Sequence, residues 1–162
     1  AVEAGATYIN DVSGGLADIQ KHRVVAELGT KYILMHWRGH SVDMNSKAVY
    51  SDVVEEVKAE LKEQVGKAIT AGIAKEKIIL DPGIGFAKES EHNWELIHRI
   101  TEIVDLGYPV LVGASRKRFL GGDSPSEREA ATLKVTEDLL ATGIWGVRVH
   151  SVAPHKEVIS GV

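Results

Sequence analysis

Residues 77–83 read KIILDPG. Two isoleucines and a leucine make a short apolar run that stops at an aspartate, a proline and a glycine, the composition of a strand ending in a turn. Four more apolar, β-branched runs end in polar residues: YINDV (8–12), KYILMH (31–36), PVLVGAS (109–115) and GVRVHSV (146–152). Helical periodicity fills the gaps at 17–28, about 50–71, about 90–105 and about 126–142. In the second of these, Val53, Val54, Val57, Leu61, Val65, Ala68 and Ile69 recur at three- and four-residue intervals, as on a helix that covers a sheet. Ser124-Pro125-Ser126-Glu127 has the spacing of a capping box with proline in the first turn, which predicts a helix start there. Gly72, Gly107 and Gly143 follow helical segments, where a left-handed terminator is wanted.

Strict βα alternation predicts a parallel sheet, either doubly wound or a (β/α)8 barrel. The polar strand ends decide between them. Asn10 and Asp11, His36, Asp81, Ser115, and Arg148 with His150 come from every strand. An open sheet gathers its site at one switch point, whereas a barrel draws residues from many strand ends around one rim. The reading is an α/β TIM barrel, of which about five βα units are present. Residues 1–162 are read as a single partial-barrel domain, the C-terminal part of the whole, because five strands do not close an eight-stranded wall. The chain begins at Ala1 without an initiating Met, so an upstream segment is expected.

Composition narrows the function. With 19 Lys+Arg against 23 Asp+Glu the net charge is −4, which argues against a general nucleic-acid or anionic-membrane surface. No run approaches the roughly 18 apolar residues of a membrane span. The absence of cysteine excludes disulfides and thiolate–metal sites and leans towards a reducing cytoplasm.

Any anion site is therefore local. Arg148 and His150 are two apart, so they share a face pointing into the barrel mouth, with Val147 and Val149 towards the helices. A guanidinium there needs a counter-charge, either an internal carboxylate or a bound anion, and the anion is the favoured reading. Ser115 and Lys117 repeat the spacing, and Gly113 offers room for close approach. Lys117 taken alone is a loop charge; on one rim with Arg148 and His150 it suits phosphate or diphosphate. If Lys117 turns inward, Arg116 and Arg118 are expected to turn towards solvent or the edge of the site. DPGIGFAK is by itself an Asp-Pro-Gly turn, but Asp81 paired with Asn10 supplies the acceptors and donor that read the amide edge of a guanine-like heterocycle such as a pterin. His36 has no second ligand at metal spacing and reads as a polar residue on the rim or just behind it, supporting the residues that touch a ligand. His22, His92, His98 and His155 are expected to be solvated, and three scattered tryptophans make no stacking platform.

Taken together, INDVSGG (9–15), LMHWRG (34–39), DPGIGFAK (81–88), VGASRKRFLG (112–121) and VRVH (147–150) resemble the dihydropteroate synthase family, in its order and across nearly the whole chain, from the fourth barrel strand to the eighth. MHWRGHS and DPGIGFAKESEHNW look most like its actinobacterial branch. The resemblance implies a cytoplasmic transferase of folate biosynthesis, a homodimer at full length, that joins 6-hydroxymethyl-7,8-dihydropterin diphosphate to p-aminobenzoate and releases diphosphate. It also implies Mg2+ carried by the substrate diphosphate, with the protein's own ligand in the preceding strands. By the same resemblance Asn10, Asp81 and Lys117 hold the pterin, while Met35 and Gly113 line its cavity. Phe86, Ser115 and Lys117 border the p-aminobenzoate pocket. Arg148 and His150 hold the diphosphate and, with Lys117, form the catalytic set. One departure stands out: Ser151 follows His150 where the family commonly has aspartate beside the diphosphate ligands. A pterin-binding methyltransferase domain shares the barrel but is expected to lack SRKRF and RVH, and a non-catalytic pterin-binding fragment is a further alternative.

Overall fold

The computed structural model describes residues 1–40 and 44–161, so Ser41, the last residue of MHWRGHS, lies outside the described residues. The strands are β1 (Tyr8–Asp11), β2 (Lys31–Met35), β3 (Ile78–Asp81), β4 (Leu111–Val112) and β5 (Gly146–Val147). The helices are α1 (Lys21–Leu28), α2 (Val53–Thr70), α3 (Ser90–His98), α4 (Thr101–Val104), α5 (Arg128–Leu139) and α6 (Val152–Ser160). β1, β2 and β3 pair in parallel, as do β4 and β5, and a parallel bridge between Leu80 and Val110 joins the two groups. Each strand thus lies beside its neighbour in sequence. Among the described residues the order does not reverse, so it has no switch point, and the arc is barrel wall rather than doubly wound sheet.

Alternation along the strands fixes the two faces. Tyr32, Leu34, Ile78, Leu80, Val110 and Val112 point outward into the main core, against Val54, Val57 and Leu61 of α2 and Leu96, Ile100 and Ile103 from α3 and α4. Each such side chain contributes about 1.5–3 kcal/mol on burial, so Leu61→Ala, at a fully buried position, would cost about 2–5 kcal/mol. Ile33, Ile79 and Leu111 form a separate inner cluster on the opposite face. Asn10 is in register with Ile33, and Met35 with Asp81, which places these polar and apolar residues on the inner face too.

Several boundaries differ from expectation. α2 buries six of its seven periodic residues, but Ile69 is exposed. α2 starts where the Asp52 carboxylate accepts from the Val54 and Glu55 amides at 3.0 Å each. The helix expected over 90–105 is two helices, broken at Arg99, whose guanidinium is held by Asp52, Glu95 and Glu102. At Ser124–Glu127 the reciprocal bonds form, Ser124 Oγ accepting from the Glu127 amide and donating to its carboxylate, yet they close a turn and α5 begins at Arg128. The last strand is two residues rather than seven, and Val152 already opens α6. The last ladder bond is from the Arg148 amide to the Val112 carbonyl at 2.9 Å. Gly72, Gly107 and Gly143 have φ of 102°, 78° and 79°, the left-handed terminators expected.

Candidate active site

The C-terminal ends of the five strands meet around one mouth. At its floor Asp81 is 1% exposed. Its Oδ1 accepts from the Gly83 amide at 2.8 Å, and its Oδ2 accepts from Arg148 Nη1 at 2.8 Å. Arg148 Nη1 also reaches Asn10 Oδ1 at 3.4 Å, so β1, β3 and β5 are tied through one guanidinium. Of the two counter-charges open to Arg148, the structure presents the internal carboxylate. The Arg148 side chain nonetheless remains 41% exposed, which leaves its other donors facing the mouth.

Gly113 lies against this guanidinium. A Cβ there would lie 2.5 Å from Arg148 Nη2. Ser115 Oγ accepts from the His150 amide at 3.2 Å and stands 2.9 Å from His150 Nδ1, joining the β4 and β5 ends. Lys117 Nζ bonds to the Ile84 carbonyl and lies 4.1 Å from the centroid of the Phe86 ring. Burial and the nearby Arg148 charge pull the Lys117 ammonium down to about 8, against the opposing pull of Asp81. Gly85 fits under Lys117, where a Cβ would meet its Cδ at 2.6 Å, and Gly83 fits against the His36 carbonyl. Those two glycines lie against protein atoms. Met35 is buried beside Asp81 on the inner face.

Two strand-end residues do other work. Asp11 accepts from the Ser13 amide and hydroxyl, the Gly15 amide and Tyr32 Oη, so it closes the NDVSGG turn. Burial pushes its carboxyl up, but those bonds outweigh it and leave it below the usual range. His36 is 3% exposed, deeper than a rim residue, and sits between Glu60 Oε2 and Lys88 Nζ at 2.9 Å each. Arg38 completes this cluster, bonding to Glu56 and Glu60 with its guanidinium carbon 3.9 Å from the Tyr50 ring centroid.

Of the two outcomes open to Arg116, the structure gives the edge of the site: Nε donates to Glu129 at 2.7 Å and Nη2 to Ser151 Oγ at 2.6 Å, and its φ of +57° makes the kink that aims Ser115 and Lys117 to different partners. Ser151 therefore faces Arg116. His155 is buried against Thr136 Oγ1 at 2.8 Å rather than solvated, and His92 Nδ1 accepts from the Glu89 amide at 3.1 Å. The reading from sequence missed Lys88, Glu60 and Arg38. Glu56 and Glu60 at i, i+4 on α2, opposite an arginine two residues past His36, were the available signal.

A family model for pterin binding enzymes matches residues 1–150. The dihydropteroate synthase of Mycobacterium leprae is 45% identical over 162 residues, covering 94% of this chain and 57% of that protein. The Thermus thermophilus dihydropteroate synthase solved with 4-aminobenzoate superposes with a TM-score of 0.91 at 38% identity, covering 99% of this chain and 63% of that one. The same enzyme solved with 6HMPPP gives 0.92 at 38% identity, with 99% and 64% covered. The arc described above is thus part of a (β/α)8 barrel, and the chain spans less than two thirds of the length of these relatives.

Proposed function

Since this chain belongs to the pterin-binding enzyme family, we propose that it supplies the C-terminal part of a dihydropteroate synthase, which condenses 6-hydroxymethyl-7,8-dihydropterin diphosphate with p-aminobenzoate to give 7,8-dihydropteroate and diphosphate. The carrying observation is the Asn10–Arg148–Asp81 contact beside Lys117, a carboxylate and cations gathered from four strand ends on one mouth. The relatives solved with 4-aminobenzoate and with 6HMPPP support the choice of substrates.

In this reading Asp81 and Arg148 hold each other until the substrate takes both. The pterin amide edge donates to Asp81 Oδ2 and to Asn10, within a cavity lined by Met35 and Gly113. The freed Arg148 guanidinium and His150 move to the diphosphate, and Lys117 turns from the Ile84 carbonyl to the pterin, beside a p-aminobenzoate pocket bordered by Phe86 and Ser115. As the C–O bond to diphosphate breaks, positive charge develops on the pterin methylene; the cations stabilise the leaving group and Asp81 the ring. The amine of p-aminobenzoate attacks that carbon and loses its proton.

Among the described residues no group of three or more His, Cys, Asp or Glu could hold a metal ion. Mg2+ is therefore proposed only as a companion of the substrate diphosphate, and no step here runs through it. No described helix is long and apolar enough to cross a membrane. We read residues 1–162 as one partial-barrel domain of a cytoplasmic homodimer.

Turnover of the two substrates by the purified full-length protein tests the proposal. Dihydropteroate should form, and Lys117→Met should lower kcat by about 10²–10³. Pterin binding without product would overturn it in favour of a non-catalytic or methyl-transfer role.

A further inference from the structure

We propose that Lys88 is a positioning residue for the p-aminobenzoate side of the mouth, acting through the 83–86 loop; this rests on the function proposed above. The loop is held by ammonium groups from two sides. Lys117 takes the Ile84 carbonyl from the mouth. Lys88 takes the Gly83 carbonyl at 3.2 Å and the Phe86 carbonyl at 3.0 Å from beneath, and its third N–H goes to His36 Nδ1 at 2.9 Å. An ammonium has three donors, and all three are used.

The third bond fixes the rest of the chain. Because His36 Nδ1 accepts from Lys88, its Nε2 carries the proton and donates to Glu60 Oε2 at 2.9 Å. Arg38, itself paired to Glu56, locks Glu60 in turn. The outcome is a rod of hydrogen bonds from α2 through the end of β2 to the backbone that carries Phe86. Tyr50 adds a second strut, donating to the Ala87 carbonyl at 2.9 Å.

The consequence lies in what happens when Lys117 turns to substrate. The Ile84 carbonyl then loses its partner, while Lys88 keeps the Gly83 and Phe86 carbonyls, alongside the Asp81 carboxylate and Asn93 amide oxygens that hold the Gly83 and Gly85 amides. The Phe86 carbonyl thus keeps its ammonium partner, Lys88, after Lys117 has turned away. Lys88 touches no reacting atom, so its effect falls on the ligand bordered by Phe86 rather than on the leaving group.

A pH signature follows. Burial pulls the Lys88 ammonium down to about 7, Arg38 and Lys117 assist, and Asp81 and Glu60 oppose. His36 and Tyr50, whose ring centroid is 6.0 Å from the ammonium, also face it and stay neutral across this range: His36 is pulled down to about 4 by burial and the Lys88 charge, and burial pushes Tyr50 up to about 12. The loop should therefore loosen as pH rises through about 7.

The test uses the full-length protein and measures KM for each substrate with Lys88→Met, together with amide exchange of residues 83–87. We expect a rise of about tenfold in KM for p-aminobenzoate, KM for the pterin diphosphate within about threefold, and faster exchange confined to the loop. The wild-type KM for p-aminobenzoate should rise above pH 7, whereas that of Lys88→Met stays flat across the same range. If Lys88→Met does not fold, Glu60→Gln serves: losing a charge that favours the ammonium, it should move the wild-type inflection to lower pH. Equal KM changes for both substrates, an unchanged pH profile, or loop exchange equal to wild type would overturn the inference. Wild-type protein without turnover would defeat the proposed function instead, and loop exchange would still decide the role of Lys88.

Discussion

Arg148 Nη1 and Asp81 Oδ2 stand 2.8 Å apart although 67 residues separate them, and the ion pair joins the ends of β3 and β5 at the floor of the mouth. A buried carboxylate paired to a half-exposed guanidinium is asymmetric. Removing Arg148 leaves a charge with no partner away from water, whereas removing Asp81 leaves a cation that solvent can reach.

That asymmetry yields the first prediction. In the full-length protein, Arg148→Ala should weaken the pterin diphosphate by about 10–100-fold while free pterin changes by less than about threefold. Calorimetry with both ligands measures the split. Combined with Asp81→Asn, the stability losses should be less than additive, because the second substitution removes the carboxylate that the first one orphans. Equal weakening of both ligands would mean that Arg148 serves only the ion pair.

The second prediction concerns Ser151, whose Oγ accepts from Arg116 Nη2 at 2.6 Å. From sequence, serine here removes a carboxylate next to the diphosphate ligands. In the structure the position points at Arg116, which already pairs with Glu129. Ser151→Asp should therefore raise stability by about 0.5–1 kcal/mol through a second carboxylate on a partly exposed arginine. Chemical denaturation reads the gain. A large fall in KM for the pterin diphosphate, with no gain in stability, would return this position to the substrate.

A third prediction follows from His36. Its folded-state pKa is drawn down to about 4 from an ordinary 6.5, first by burial and then by the Lys88 charge. Between these values the unfolded chain binds the extra proton, so the contribution of His36 to stability is complete above about 6.5 and is lost as pH falls towards 4. Glu60 acts lower down: burial pushes its carboxyl up, but bonds from His36 and Arg38 hold it at about 2, so its contribution is lost only below its ordinary 4.5. Denaturation midpoints should thus fall as pH is lowered from 6.5 to 4. In His36→Gln the fall between 6.5 and 4 should flatten. An unchanged fall would assign it to other groups.

The order βαβα and the polar strand ends were legible because both are periodic features: apolar runs set the strands, and alternation sets which residues share a face. Asn10, Asp81, Ser115, Arg148 and His150 reached the mouth for that reason. What alternation does not encode is pairing across the mouth. Gly113 is as consistent with a ligand as with the Arg148 guanidinium, and only distance separates the two. Arg116 in the left-handed region and the Lys88 ammonium beneath the 83–86 loop depend on tertiary partners in α5 and β2, far away in sequence. α6 was hidden because Val147 and Val149 alternate as on a strand and Val152 extends the β-branched run; Ser151 in the N-cap position was the competing signal.

The last prediction concerns the arc by itself. Among the described residues β1 pairs only with β2, and β5 only with β4, so each carries one free edge of backbone donors and acceptors. Trp145 lies 5.9 Å from the Tyr8 ring, and Arg148 reaches Asn10, so the arc's two ends touch through side chains without backbone bonds. Ile19 and Val152 also present apolar surface beside these outer strands, at 98% and 68% exposed. Unpaired edges next to apolar surface template association. Residues 1–162 expressed alone should therefore sediment as a self-associating species, with p-aminobenzoate condensation at least about 10³-fold below the full-length protein, because the upstream strands of the barrel are absent from the mouth. Sedimentation velocity, thermal unfolding and a turnover assay on the two forms supply the comparison. A stable monomer with full turnover would show that five strands close the working site, and the dependence on upstream strands would then be wrong.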